Sequence, residues 1–211
     1  MSIPLRSRVH TRILLNFRVD PSAIRPLIPA GLEPVLVEGA AVAGVCFIRQ
    51  VRIRPSGFPG FTGVSLEAAA HRVAVTRNGE RAVLVLRRDA AGLLPKIASR
   101  MIGASFGEGT IEWDALSARL VASDGATASI REGGAERLRS SLFASRDAAA
   151  DFFRQESLSI EPDGRSLTVT LPPHWSVEAI ERATFTSSML SALGAEPDSA
   201  FVARNLDALW E

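Results

Sequence analysis

Glu67 and His71 stand four positions apart in the stretch LEAAAHRVAV, which has the composition and alternation of a β-strand. Alternate side chains of a strand share a face, so Glu67, Ala69 and His71 lie on one face and Arg72 lies on the other. A carboxylate and an imidazole on one face could contact a ligand in a pocket, with the imidazole as acid or base. They could equally form structural pairs with neighbouring arginines or hydrogen-bond partners, because carboxylates are seldom buried unpaired.

Lys96 is the second chemical candidate, because it is the single lysine among 24 basic residues. A neutral lysine amine forms a Schiff base with a carbonyl compound, which an arginine cannot do. A coding bias toward arginine explains the scarcity of lysine more simply. In that case Lys96 is a solvated helix residue without a chemical role.

The histidines and glycines do not predict a metal or nucleotide site. His10, His71 and His174 lack the spacing of metal ligands, and no close acidic cluster accompanies them. The order of glycines in residues 103–109 is not that of a phosphate-binding loop. We therefore expect neither a metal nor another cofactor.

The composition is that of an ordinary globular domain. The chain has 211 residues, of which 46% are hydrophobic and 22% charged, and its formal net charge is +1. This length predicts a single domain over residues 1–211. No basic patch indicates nucleic acid, and no apolar run or leader indicates a membrane. Cys46, the only cysteine, is expected to be a small core residue in a reducing compartment, so we predict a cytoplasmic protein.

The elements that position these side chains are mainly strands. Alternation predicts strands at residues 6–17, 41–53, 64–76, 81–88, 110–120, 126–130, 158–160 and 167–171. Turn sequences predict hairpins at Asn78-Gly79, Asp124-Gly125 and Asp163-Gly164. Many short strands with few helices indicate an α+β domain, mainly an antiparallel sheet that is closed or nearly closed.

Three helices are predicted between these strands. Asp20-Pro21 is typical of a helix start and predicts a helix over residues 22–28. Ser145 predicts a cap for a helix over residues 146–155. Asp89 predicts a cap for a helix that reaches residue 102, with a kink at Pro95.

Several segments in a common order resemble the acetoacetate decarboxylase-like superfamily. They are FRVDPSAIRPLIPAGLEP, AVAGVCFIRQVRIRP, LEAAAHRVAV and LVLRRDAAGLLPKIASR, followed by SSLFASRDAAADFF, PPHWSVE and DSAFVARNLDALW. The chain is most similar to a branch of short, uncharacterised bacterial proteins. The resemblance implies a cone-shaped antiparallel β-barrel around an apolar pocket. In the enzymes of the superfamily, a pocket lysine of lowered pKa attacks an oxo acid.

The resemblance also implies positions for the pocket residues. Glu67 falls where one pocket glutamate is expected, His10 falls near the pocket arginine, and Cys46 falls near the second glutamate. In one register Leu94-Pro95-Lys96 matches the lysine signature of the enzymes. In the favoured register Ser99-Arg100 precedes that signature, and the nucleophile falls within residues 101–109, where the chain has no lysine.

We therefore predict a pocket lined by Glu67, His71 and His10 that binds a small carbonyl or carboxylate compound without lysine-dependent decarboxylation. Cys46 completes the predicted substrate contacts, and Arg100 could contact a substrate carboxylate or form a cap or ion pair. A rival hypothesis is a carbon–carbon lyase, a Schiff-base decarboxylase or aldolase-type enzyme in which Lys96 and Glu67 are catalytic. A third hypothesis is a non-catalytic binding or assembly module. The predicted partner is an oxo acid or similar small molecule, and a homo-oligomer is compatible with the sequence.

Overall fold

The computed structural model describes residues 4–91, 105–134 and 137–211. The strands in these residues are β1 Leu5–Val19, β2 Leu32–Pro34, β3 Leu36–Val37, β4 Ala40–Pro55, β5 Val64–Arg77, β6 Glu80–Ala90, β7 Gly107–Asp114, β8 Ser117–Ala122, β9 Thr127–Glu132, β10 Leu158–Ile160, β11 Ser166–Thr170, β12 Glu178–Ala179, β13 Ala183–Ser187 and β14 Glu196–Trp210. The described helices are α1 Pro21–Ile24, α2 Arg146–Arg154 and α3 Ser188–Ser191.

Seven strands pair in a closed ring, in the order β1, β4, β5, β6, β10, β11 and β14, and β14 pairs with β1 again. All pairings in the ring are antiparallel except the short parallel contact between β6 and β10. A branch of β7, β8, β9 and β13 continues from β6, through a parallel pairing of β6 with β7. The structure confirms the predicted α+β class with a mainly antiparallel sheet.

Strand alternation gives the ring two buried faces. On the outer face, side chains of β1, β4 and β5 such as Ile13, Phe47 and Val73 pack with the branch residues Leu120 and Phe185 in one apolar cluster. On the inner face, Leu14, Cys46 and Ala74 pack with Phe152 and Phe153 of α2 in a second cluster. The strands β1, β4, β5 and β14 therefore each contribute side chains to both cores.

Local sequence signals explain most element boundaries. Asn78 and Gly79 both have positive φ in the turn between β5 and β6, as the Asn-Gly pair predicts. The Asp20 carboxylate accepts a hydrogen bond from the Ser22 N–H at the start of α1. The Ser145 hydroxyl accepts one from the Ala148 N–H at the start of α2. The predicted caps at Asp20 and Ser145 are confirmed.

Three predicted elements need correction. The helix after Asp20 becomes a 3-10 turn at Arg25–Leu27, where Pro26 lacks the N–H that a continuing α-helix needs. The predicted strand 110–120 is a hairpin of β7 and β8, which turns at Ala115 with a φ of 50°. Asp89 does not cap a helix, because it is buried within β6. The predicted helix segment from residue 92 onward lies outside the described residues.

Among the described residues, no helix is long and apolar enough to span a membrane.

Candidate functional site

A cavity of about 410 Å³ lies inside the ring. All seven ring strands contribute to its wall, together with the end of α2 and the segment that follows it. Most of the wall is apolar, with side chains that include Leu5, Val9, Ile48, Leu66, Val85, Leu167, Val169, Trp175 and Trp210. Space remains at the centre because β5 presents the small side chains of Ala68 and Ala70, and β4 presents Cys46 beside them. Such a cavity has the size and wall of a small-molecule site.

A buried ion pair forms one polar part of the cavity wall. Arg72 of β5 donates from Nη1 to Oε2 of Glu156 at 2.7 Å, and their side chains are 4% and 1% exposed. The second guanidinium nitrogen donates to the Asn16 side-chain oxygen at 3.1 Å. The guanidinium also lies 5.2 Å from the ring centre of Phe153. Arg72 is thus fixed from three sides within the protein.

The ion pair leaves two buried polar atoms without hydrogen bonds. Oε1 of Glu156 and Nε of Arg72 have no partner in the part of the chain that the structure describes. Burial raises the pKa of the Glu156 carboxyl above its usual value, while the positive charges of Arg72, Arg12 and Arg81 oppose this shift. A buried carboxylate oxygen without a hydrogen-bond donor costs free energy of desolvation. This part of the wall is therefore suited to a ligand group that donates a hydrogen bond.

Arg12 of β1 supplies a positive charge to the same wall. Its Nε donates to Sγ of Cys46 at 3.3 Å, and its guanidinium carbon lies 5.7 Å from the ring centre of Trp175. No carboxylate forms an ion pair with Arg12 among residues 4–91, 105–134 and 137–211. This guanidinium is therefore available to an anion that enters the cavity.

The other arginines of the cavity wall are already paired. Arg88 donates to Glu161 at 2.6 Å. Arg154 donates to the Asp151 carboxylate and to the backbone oxygen of Trp175. Within the described chain, Arg12 is consequently the arginine of the wall that lacks a carboxylate partner.

Of the residues that the sequence predicted for the pocket, Cys46 lies at the cavity wall and Glu67 does not. Glu67 lies on the outer face of β5, where its Oε1 accepts a hydrogen bond from Arg49 Nε at 2.7 Å. The Arg49 guanidinium carbon lies 5.0 Å from the ring centre of Trp113. Glu67 is one third exposed, and its environment is that of a partly solvated cross-strand ion pair.

His71 shares the outer face with Glu67, as alternation predicts, but it is fully buried. Its Nε2 forms a hydrogen bond with Oγ of Ser187 at 3.0 Å, and Nδ1 has no partner among the described residues. Burial, assisted by the charge of Arg87, lowers the pKa of His71 to about 4. The predicted pocket around Glu67 and His71 is therefore not the ring cavity, which lies on the opposite face of β5, the face of Ala68, Ala70 and Arg72.

His10 also lies away from the cavity. His10 follows Val9, which lines the cavity, and therefore lies on the opposite face of β1. The pairing of β1 with β4 is irregular between Val9 and Thr11, and this bulge shifts the alternation of the side chains that follow. His10 is exposed, and its Nδ1 forms a hydrogen bond with the Thr11 hydroxyl at 2.9 Å. The same bulge leaves Arg12, two residues later, at the cavity wall.

Lys96 and Arg100 lie outside the described residues, so their predicted roles stay predictions. Among the described residues, no group of three or more histidine, cysteine, aspartate or glutamate side chains could hold a metal ion.

The sequence analysis did not predict Arg12, Arg72 or Glu156 as site residues. Arg72 carried a usable signal, because it is a charge beside the apolar run at residues 73–75, whereas Arg12 is one of several charges on β1 and carried none. Glu156 carried none, since it follows α2 in a segment without periodicity. Its position is a consequence of tertiary packing alone.

The fold and the cavity place the chain in a structural class that is already known. The structure is similar to the "Enduracididine biosynthesis enzyme MppR complexed with pyruvate", with a TM-score of 0.65, 15% sequence identity and coverage of 99% of this chain and 89% of that chain. It is also similar to an "Acetoacetate Decarboxylase-like Enzyme from Sphingomonas wittichii RW1", with a TM-score of 0.62, 12% identity and coverage of 100% and 91%. For acetoacetate decarboxylase from Legionella pneumophila, the TM-score is 0.61, the identity 14% and the coverage 99% and 85%. The chain therefore has the acetoacetate decarboxylase-like fold.

The family model of DUF2071, described as "Uncharacterized conserved protein", matches residues 6–157. The chain belongs to this family. No curated protein matches it.

Proposed function

We propose that the ring cavity binds a small organic carboxylate, and that Arg12 holds the carboxylate group. The observation that carries this proposal is a guanidinium in an apolar wall without an ion-pair partner in the described chain. A carboxylate accepts charge-assisted hydrogen bonds from a guanidinium, and these are stronger away from bulk water. A structural neighbour described as complexed with pyruvate supports an oxo acid as the first compound to test.

Titration calorimetry with pyruvate and acetoacetate tests this proposal. Arg12→Gln should weaken binding about tenfold to a hundredfold, because a hydrogen bond to a charged group contributes about 1.5–3 kcal/mol. Arg8→Gln is the matched control, since Arg8 lies on the same strand but not at the cavity wall. Equal affinity in both variants, or no binding by the unsubstituted protein, would contradict the proposal and leave a non-catalytic assembly module as the better hypothesis.

We propose further that binding does not involve lysine chemistry. The favoured sequence register provides no lysine at the position of the decarboxylase nucleophile, and in that register the sequence predicts a solvated helix residue at Lys96. Borohydride reduction in the presence of acetoacetate or pyruvate, followed by intact mass measurement, should give no adduct. A stoichiometric adduct that disappears in Lys96→Arg would favour the rival Schiff-base decarboxylase or aldolase instead.

A further inference from the structure

Glu156 adds a hydrogen-bond acceptor next to the cavity, whereas Arg12 is a hydrogen-bond donor. Its side chain is 1% exposed, Oε2 accepts the hydrogen bond from Arg72, and Oε1 has no donor within the described chain. Neighbouring guanidinium groups do not provide that donor: Arg72 is directed to Oε2 and Asn16, and Arg12 is directed to Cys46. The cavity wall thus contains an arginine without a carboxylate and, just beneath its surface, a carboxylate oxygen without a donor among the described residues.

A purely structural ion pair would not need this arrangement. A buried pair stabilises a fold only when its remaining hydrogen-bonding capacity is also satisfied, and an apolar pair of similar volume often serves as well. Here the unsatisfied oxygen belongs to a residue of the cavity wall. A ligand that donates a hydrogen bond to Oε1 would satisfy it, whereas a ligand without a donor would leave it unpaired.

The two groups together specify a ligand chemistry. A guanidinium can only donate hydrogen bonds, and an ionised carboxylate can only accept them. We infer that the natural ligand is a hydroxy acid, whose carboxylate binds Arg12 and whose hydroxyl donates to Glu156. This inference rests on the proposed carboxylate site at Arg12.

The size and polarity of the cavity define the rest of the ligand. Since a water molecule occupies about 30 Å³ in the liquid, a cavity of about 410 Å³ has space for about a dozen non-hydrogen atoms. This exceeds the size of a three-carbon or four-carbon acid. The surrounding leucine, valine, isoleucine and tryptophan side chains require that the additional atoms be apolar, such as an aromatic ring or a short alkyl chain.

Matched pairs of acids that differ by one hydroxyl test the inference. Mandelate is compared with phenylacetate, and 3-phenyllactate with 3-phenylpropionate, by titration calorimetry on the full chain. In at least one pair the hydroxy acid should bind ten times more tightly or better, because the analogue without a hydroxyl leaves Oε1 unpaired.

Two variants assign this preference to Glu156. In the double variant Arg72→Met with Glu156→Leu, both charges are removed together, so no uncompensated charge remains buried. The preference for the hydroxyl should disappear, while phenylacetate still binds through Arg12. If the double variant does not fold, Glu156→Gln replaces it, because this variant removes the carboxylate charge with little change of shape. The control is Arg204→Met with Glu178→Leu, which removes an ion pair between β12 and β14 that does not line the cavity and should keep the preference.

The possible outcomes separate this inference from the proposed function. Equal binding within both pairs, together with weaker binding in Arg12→Gln, would overturn the hydroxy acid and retain the carboxylate site. A hydroxyl preference that persists without Glu156 would overturn the role of Glu156. Failure of every acid to bind would overturn both proposals.

Discussion

His71 has a side chain that suggests acid–base chemistry, yet its surroundings indicate a structural role. Burial is the main cause of its lowered pKa, the charge of Arg87 adds to it, and Asp89 and Asp124 oppose it. A pKa of about 4 in the folded protein, against an ordinary value near 6.5, means that the native state excludes a proton that the unfolded chain accepts.

This difference predicts a specific loss of stability in acid. The contribution of neutral His71 is complete above about pH 6.5 and is lost as the pH falls toward 4, by about 3 kcal/mol in total. Urea unfolding at pH 7.0 and pH 4.5 should show that His71→Gln has a smaller decrease in the free energy of unfolding than the unsubstituted protein. The exposed His174 provides the control, since His174→Gln should leave the decrease unchanged. An identical decrease in all three proteins would assign the acid sensitivity to other groups.

At the residue scale, the sequence predicted which side chains share a face of a strand, but it did not predict which face borders the cavity. Alternation correctly put Glu67 and His71 on one face of β5 and Arg72 on the other. Both faces of this strand are covered, so hydrophobicity does not distinguish the cavity side from the core side. The bulge between Val9 and Thr11 then shifted the alternation of β1, so that Arg12 and not His10 lies at the cavity wall. A bulge of this kind has no fixed sequence signal when glycine is not involved.

At the scale of single elements, the pairing of β4 with β1 depends on one glycine, Gly44. A Cβ atom on Gly44 would lie 2.3 Å from the backbone oxygen of Leu15 in β1 and 3.6 Å from Nη2 of Arg72. The neighbouring strand therefore approaches more closely than any side chain at this position permits. Only glycine allows β1 and β4 to remain paired at this point.

Gly44→Ala should consequently be strongly destabilising. We expect a loss of about 3 kcal/mol, at the upper end of typical overpacking costs, because the contact is with backbone and cannot relax by rotation of a side chain. Gly60→Ala is the control, since an added Cβ meets nothing within 4 Å there. Chemical denaturation of both variants measures the difference. A change in Gly44→Ala as small as that in Gly60→Ala would show that the strands can separate at low cost.

Elements with strong local signals were predictable, and those determined by distant contacts were not. Asn78-Gly79, Asp124-Gly125 and Asp163-Gly164 each lie in the turn between two paired strands, as their sequences indicate. The turn at Ala115 escaped prediction because alanine rarely adopts positive φ. Asp89 has the chemistry of a helix cap, but in β6 its carboxylate instead accepts two hydrogen bonds from Arg87.

At the scale of the whole molecule, closure of the ring determines the architecture. The closing contact of β10 with β6 involves only Ser159 with Val83 and Ile160 with Leu84. A parallel contact of this length leaves no pattern in the sequence. The many short strands predicted a closed or nearly closed sheet, and the resemblance to a known superfamily implied a barrel, but neither predicted which strands make the closing contact.

The two cores on opposite faces of the ring predict cooperative unfolding. Both apolar clusters use side chains of β1, β4, β5 and β14, so neither can be lost while the other remains intact. Calorimetry should show one transition in which the calorimetric and van't Hoff enthalpies agree, as expected for the single domain that the chain length predicts. Two resolved transitions, with the branch of β7, β8, β9 and β13 melting separately, would contradict this prediction.

The pairing of β1 with β14 has a consequence for synthesis on the ribosome. Leu5 of β1 lies opposite Trp210 of β14. One edge of β1 therefore stays unpaired until the partner strand, about two hundred residues later in the sequence, has been translated. The ring cannot close while β14 is still in the exit tunnel, and until then the nascent chain exposes the unpaired backbone N–H and C=O groups along this edge of β1. We expect release of residue 210 from the tunnel to be the event that permits folding. Until then, the unpaired edge of β1 is open to intermolecular strand pairing.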